Sequence, residues 1–389
     1  MQASDLRAVA QLATQATTSL VNMADGVHRS VLTTLRLPCS LTGLVYRAAR
    51  GLTSLVGQGA DNLLSVIQPL LESAERAPAG SPQREAILAA LNGVMGDHLA
   101  ATGNPLATPM SLRHAGQTLD LSALPSELKA GGKVLLLVHG LCMNDLQWHT
   151  RHRGQPAHQG LALASSLGYV PIYARYNSGL HISQNGRQLS DHLEALLKSC
   201  PDGLEEVSVL AHSMGGLVIR SAVHYAQQSG LEWPQRLKSI VFLGTPHHGA
   251  PLERAGNWFH QLLGRTPFTA PFSQLGRLRS AGITDVRYGN LVDEDWHGHD
   301  RFHPRPDQRQ VLRLPEGVAC YAVAGKMRVH WGLGDGLVPS HSALGLHPDP
   351  QRNLHFPEGS QVIFERTNHM QLLSSPEVAR QLELWLRQS

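Results

Sequence analysis

Short, unbroken apolar runs alternate with helix-patterned segments beyond about residue 130, and no other feature constrains the fold as strongly. KVLLLVHG (Lys133–Gly140), YVPIYARY (Tyr169–Tyr176), VSVLAH (Val207–His212) and LKSIVFLG (Leu237–Gly244) are continuously apolar. Strands covered on both faces read this way, whereas half-exposed strands alternate. Between the runs, ISQNGRQLSDHLEALLKSC (Ile182–Cys200) sets Leu189, Leu193, Leu196 and Leu197 on one helical face. MGGLVIRSAVHYAQQ (Met214–Gln228) is a second helical segment. ACYAVAG and QVIFERT supply two later strands, and SLRHAGQTLDL (Ser111–Leu121) reads as a short hairpin. A last helix has Ser375 as N-cap and Pro376 at its first position, and buries Val378, Leu382, Trp385 and Leu386. The alternation predicts the α/β class: a mostly parallel central sheet with helices on both faces.

Two segments stand apart from that body. Residues 1 to about 75 have helical periodicity interrupted by glycines, with Leu44, Ala48, Leu52, Leu55 and Val56 on one face. AERAPAGSPQRE (Ala74–Glu85) has the Pro, Gly and charge content of a linker, and a short helix is expected in AILAALNGVMGDHL (Ala86–Leu99). The expected division is an N-terminal helical extension over 1–105 and a body over 106–389. A lid-like insertion interrupts the body at about 250–315, with Trp258, Phe259, Phe268, Phe272 and Trp296 available to acyl chains. For the extension, packing on the body is the first reading, beside self-association and peripheral contact with a membrane or lipid surface.

With 42% hydrophobic and 16% charged residues in 389, a sizeable core is expected and global disorder is not. A net charge of +3, from 33 basic and 30 acidic residues, argues against a dedicated nucleic-acid binder. Cys39, Cys142, Cys200 and Cys320 show no metal-like spacing and read as free or buried thiols in a reducing compartment. The N-terminus lacks an apolar signal core, and no stretch approaches the ~18 apolar residues of a spanning helix. A cytoplasmic protein with no cofactor is expected.

The chemistry centres on VLAHSMGGLVIR (Val209–Arg220). Ser213 falls at a very tight strand-to-helix turn, with Ala211 two residues before it and Gly215 two after. Such an elbow lifts a hydroxyl to the carboxyl edge of the sheet and aims the amide of Met214 at any anion formed there. Glycine is usual where Ala211 stands; the alanine adds one methyl. A serine needs a base, and the base needs a carboxylate to orient it. Asp335 in LGDGLVPSHS and His369 in ERTNHMQLL follow in that order, each just past a strand. The loop VHGLCMND offers a second oxyanion donor in the amide of Leu141, with Gly140 allowing close approach. His139, Gly140, Cys142 and His212 are the candidate substrate-binding residues. GTPHHG (Gly244–Gly249) reads mainly as a strand terminator, with His247 or His248 as candidate pocket-lining residues. WHGHDRFH, with His297, His299 and His303, reads as a solvated loop rather than a metal site.

VHGL, AHSMGG, GTPHHG, GDGLVP and NHMQLL, in that order, resemble the lipase-like branch of the α/β-hydrolase superfamily. The chain is similar there to bacterial triacylglycerol lipases and to bacterial esterases that resemble glycosylphosphatidylinositol deacylases, over roughly Ser111 to Ser389. The resemblance implies the α/β-hydrolase fold and carboxylester hydrolysis through an acyl-enzyme. It places Ser213, Asp335 and His369 at the triad positions and Leu141 and Met214 at the oxyanion donors. Several secreted members carry calcium on an aspartate just after the histidine; MQLL offers no carboxylate there, and no metal is expected. Two alternatives stay open: a thioesterase or amidase using the same triad, and a non-enzymatic lipid-surface or assembly protein working through its N-terminal helices.

Overall fold

Strand β3 (Lys133–Val138) shows why its apolar run is unbroken. Val134, Leu136 and Val138 face one core cluster, and Leu135 and Leu137 face a second one on the opposite side. The computed structural model describes residues 81–200, 202–250, 280–299, 307–327 and 334–389. Around β3 the other strands are β1 (Ser111–His114), β2 (Gln117–Thr118), β4 (Thr150–His152), β5 (Gln155–Ala157), β6 (Tyr169–Arg175), β7 (Val207–His212), β8 (Leu237–Leu243), β9 (Ala319–Lys326) and β10 (Gln361–Glu365). The helices are α1 (Pro82–Ala101), α2 (Ser126–Lys129), α3 (Gln159–Leu167), α4 (Ile182–Ser199), α5 (Met214–Gln228), α6 (Ala281–Tyr288), α7 (Ser340–Ala343) and α8 (Pro376–Gln388).

The main sheet has eight strands in the order β10-β9-β8-β7-β3-β6-β1-β2. From β10 to β6 every neighbouring pair is parallel, while β1 runs antiparallel to β6 and forms the expected hairpin with β2. One face is covered by α1, α4, α5 and α6, the other by α3 and α8. From β3 the chain moves to β6 on one side, then returns to β7 on the other. That reversal opens a crevice at the carboxyl ends of β3 and β7, where open α/β sheets bind their ligands. It is the fold of the α/β-hydrolases.

The extension expected to end at residue 105 is corrected at its C-terminal part. Ser81 caps α1 and Pro82 opens it, so part of the expected linker is already helix. Ile87, Ala90, Leu91 and Leu99 are fully buried in the same cluster as Leu136 and Ile172. The helix is also tied down by charge: Arg175 of β6 pairs with Glu85 and with Asp145, and Asp145 also pairs with Arg113 of β1. Gly93 lets α1 press against the loop after β3, since a Cβ there would lie 2.2 Å from Cys142 Sγ. Thus α1 belongs to the body and backs the loop that carries Leu141. Residues 1–80, and the lipid-contact reading attached to them, lie outside the described residues.

Of the lid-like insertion expected at about 250–315, only part falls among the described residues. Residues 280–299 are built into the body: Ile283, Val286, Leu291 and Val292 join the core, and buried Asp285 caps α4 through the amide of Ile182 and Nδ1 of His181. Trp296 stacks on His181 with ring centroids 3.6 Å apart and donates to Ser183 Oγ, so it serves packing rather than acyl binding. Trp258, Phe259, Phe268 and Phe272 lie outside the described residues. Among the described residues, no helix is long and apolar enough to cross a membrane.

If α1 is part of the body, Leu91→Ala should destabilise the whole of it by about 2–5 kcal/mol, the range for a fully buried leucine. Urea unfolding followed by tryptophan fluorescence would read this directly. An unchanged midpoint would return α1 to an independent extension.

Candidate active site

The turn from β7 to α5 holds Ser213 at φ 55° and ψ −125°, a conformation that non-glycine residues adopt only when their surroundings enforce it. Two contacts enforce it here. The amide of Ser213 donates to Leu243 O at 2.8 Å, binding the elbow to the end of β8. Gly215 presses on the end of β3, where a Cβ would lie 2.5 Å from Val138 O and 2.6 Å from His139 O. Ala211, fully buried in β7, fits its place with its single methyl. Ser213 itself is 9% exposed, so the hydroxyl sits at the floor of the crevice rather than on the surface.

Asp335 and His369 meet nearby. His369 Nδ1 lies 2.6 Å from Asp335 Oδ2, and the amide of His369 donates to Asp335 O at 3.0 Å. The other carboxylate oxygen accepts from the amides of Leu337 and Val338 at 2.9 and 2.8 Å. Asp335 is 0% exposed and His369 2%. A carboxylate so placed fixes the imidazole with Nδ1 protonated and leaves Nε2 for a second partner. No hydrogen bond joins Ser213 Oγ to His369 among the described residues; such contacts commonly tighten only when substrate seats.

Gly244 links the pair to the elbow, and sequence reasoning missed it. It follows Leu243, the acceptor for Ser213, and has φ +59°. A Cβ at Gly244 would lie 3.0 Å from both Asp335 Oδ2 and His369 Cε1. The glycine in GTPHHG is thus the floor under the acid–imidazole pair, besides ending a strand. The signal was a glycine directly after a buried strand of the same sheet edge.

The two expected oxyanion donors lie on the two loops that meet at this crevice. Neither the amide of Leu141 nor that of Met214 has a hydrogen-bond partner among the described residues. The following amide, of Cys142, is held by Ser178 Oγ at 3.0 Å, which fixes the loop just past Leu141. Cys142 has φ 58° and is buried, and burial pushes its thiol up, away from the reactive thiolate. Cys200 and Cys320 are also buried and unpaired; Cys39 lies outside the described residues.

The remaining candidate substrate-binding residues are reassigned to bracing. Gly140 allows the close approach expected of it: a Cβ there would be 3.0 Å from Ser213 Cβ. His139 and His212 are fully buried and hold backbone rather than line a pocket. His139 Nδ1 donates to Gly140 O at 2.8 Å and its ring stacks on Tyr176 at 4.1 Å. His212 Nε2 lies 3.1 Å from His369 O, with the two rings 4.6 Å apart. Burial keeps both imidazoles neutral. It drives His139 down to about 4 and His212 well below its ordinary value, the latter with help from His369.

His247 and His248 lie away from this crevice, in the wall of another cavity. His297 and His299 are exposed, and His303 lies outside the described residues. Asp295 is committed to the amides of Leu291, Val292 and Gln310. No group of metal-binding side chains forms among the described residues.

The sheet order with its reversal at β3 and the strained serine elbow define the class: an α/β-hydrolase fold. Residues 129–313 match the family described as the PGAP1-like alpha/beta domain. Similar solved structures include the mature form of the Bacillus licheniformis lipase BlEst2, at 14% identity over 72% of this chain and 98% of that one, with a TM-score of 0.42. They also include a Pyrobaculum calidifontis esterase at 14% identity, 66% and 74% coverage and a TM-score of 0.38. A Pyrococcus furiosus esterase gives 14% identity, 67% and 83% coverage and a TM-score of 0.38. No curated protein matches the sequence.

The neutral histidines set an acid limit on stability. Their folded-state values lie below the ordinary 6.5, so the unfolded chain takes up protons first as pH falls. The stability they contribute is present above about 6.5 and is lost as pH drops toward the folded value of His139, about 4. The urea midpoint should therefore fall steadily between about pH 6.5 and 5, before carboxylates titrate. A flat midpoint across that window would contradict neutral burial.

Proposed function

We propose that the protein is a serine carboxylester hydrolase acting through an acyl-enzyme on esters of hydrophobic acyl chains. The observation that carries this reading is the buried Asp335–His369 pair, hydrogen-bonded at 2.6 Å and resting on Gly244 beside the serine elbow. In this mechanism His369 Nε2 takes the proton from Ser213 Oγ as the oxygen attacks the ester carbonyl. Asp335 keeps the imidazole in the required tautomer and stabilises the imidazolium. The tetrahedral oxyanion accepts from the amides of Leu141 and Met214, each a donor of the kind worth roughly 2.7–4 kcal/mol of barrier. His369 then protonates the departing alkoxide. Water, deprotonated by the same nitrogen, cleaves the acyl-enzyme and restores Ser213.

Unpartnered amides beside a strained nucleophile support acyl transfer over a purely binding role, since a binding module has no use for either. The preference for hydrophobic acyl groups rests on Trp258, Phe259, Phe268 and Phe272, read in the sequence.

Ser213→Ala should lower hydrolysis of nitrophenyl esters by roughly 10⁴-fold or more while leaving the unfolding midpoint in place. Asp335→Asn should cost about 10⁴ in kcat by favouring the wrong tautomer. Retained turnover in Ser213→Ala would remove Ser213 as nucleophile. A chain-length series of the same esters would show rates rising with acyl length, and a flat or falling series would contradict the hydrophobic-acyl assignment.

A further inference from the structure

Behind the elbow helix lies a second cavity that hydrolysis does not use. It is small, about 20 Å³, and its wall includes Arg220 of α5, His247 and His248 of the loop after β8, Arg309, Leu312 and Arg352. That is room for about one water-sized group, such as one oxygen of a larger group, and for no acyl chain.

The guanidiniums in this wall differ in their partners. Arg309 pairs with Asp307 at 2.7 Å, and Arg352 lies 3.4 Å from Asp307 and 3.7 Å from Asp349. Arg220 forms no ion pair within contact distance among the described residues, and the buried carboxylate whose charge it feels, Asp295, holds the amides of Leu291, Val292 and Gln310. Yet Arg220 is only 6% exposed. Its Nη2 donates to Leu312 O at 2.6 Å, its Nη1 lies 3.4 Å from His247 Nδ1, and its Nε has no partner. A guanidinium can only donate, so His247 Nδ1 must accept. The neutral imidazole then carries its proton on Nε2, which is also buried without a partner. Burial and the neighbouring Arg309 lower Arg220 to about 10, against an opposing pull from Asp295.

Two buried donors without acceptors, one of them on a buried guanidinium with no contact ion pair, share one wall, and unmet buried donors are costly. We infer that this cavity is a binding site for a single oxyanion group, a carboxylate or a phosphate, seated on the Arg220 guanidinium. The planar fork of arginine suits such a group. Nε–H and the second proton on each of Nη1 and Nη2 supply the contacts on one side, and His247 Nε2–H lies in the same wall. The site is separate from the proposed reaction centre and does not depend on it. The group is either a free ion or the acidic end of a larger molecule.

Inorganic phosphate and acetate, titrated into the full-length protein at constant ionic strength balanced with chloride, separate the two oxyanion types. Thermal melting and calorimetry should show saturable binding of at least one of them, with one site per chain. Arg220→Lys keeps the charge but loses the fork and should weaken that binding at least 10-fold; Arg220→Met should abolish it. Both variants should retain the wild-type labelling or turnover at the serine site. Saturable binding that is unchanged in Arg220→Lys would overturn the assignment, as would no saturable binding of either ion to the wild type. Should Arg220→Met fail to fold, the wild-type calorimetry and Arg220→Lys decide the matter alone.

Discussion

The left-handed backbone at Ser213 is held from two sides, and the rest of the structure is arranged around that grip. The amide of Ser213 is fastened to the end of β8, and Gly215 is pressed onto the carbonyls at the end of β3. Neither contact exists unless β3, β7 and β8 lie side by side in parallel, as their register shows. The strain at the elbow is therefore maintained by the sheet as a whole, through the two apolar clusters that cover its faces. Remove the close approach at Gly215, and the serine would relax into an ordinary helical entry.

From this elbow the other parts follow by adjacency. The loop after β3 carries Leu141 past Ser213, with Gly140 at the point of closest approach and α1 behind it at Cys142. The loop after β8 supplies Gly244, whose missing side chain leaves room for the Asp335–His369 pair. Neutral His139 and His212 brace these loops from below without adding charge beneath the pair. Burial thus serves two ends: it fixes loop geometry, and it removes from the floor of the crevice any imidazolium that would compete with His369 for Asp335.

Much of this was legible in the residues. Unbroken runs such as KVLLLV and VSVLAH announced strands buried on both faces, and the β3 side chains do divide between two cores. The order of Ser213, Asp335 and His369, each past a strand, was visible, because the carboxyl ends of parallel strands share one edge. Less was visible of α1. It is buried on nearly every side from Ala89 to Gly96, so it shows no one-sided apolar stripe, and its glycines look like interruptions until their contacts are known. Trp296 was read as part of an insertion because aromatic residues between strands look like a surface excursion; its partner His181, and the first turn of α4 that Asp285 caps, lie about a hundred positions earlier. His212 precedes Ser213 and His139 lies two residues before Leu141, so both looked like pocket lining, whereas adjacency along a buried strand end means burial. The Arg220–His247 pair had no local signature at all.

The central claim is that the oxygen of Ser213 is the nucleophile, activated by an imidazole that Asp335 holds. Treatment of the intact protein with a fluorophosphonate, followed by peptide mass spectrometry, tests it most directly. A single stoichiometric adduct on the peptide containing Ser213, lost in His369→Ala, is the predicted result. An adduct elsewhere, or none at all on correctly folded protein, would contradict it.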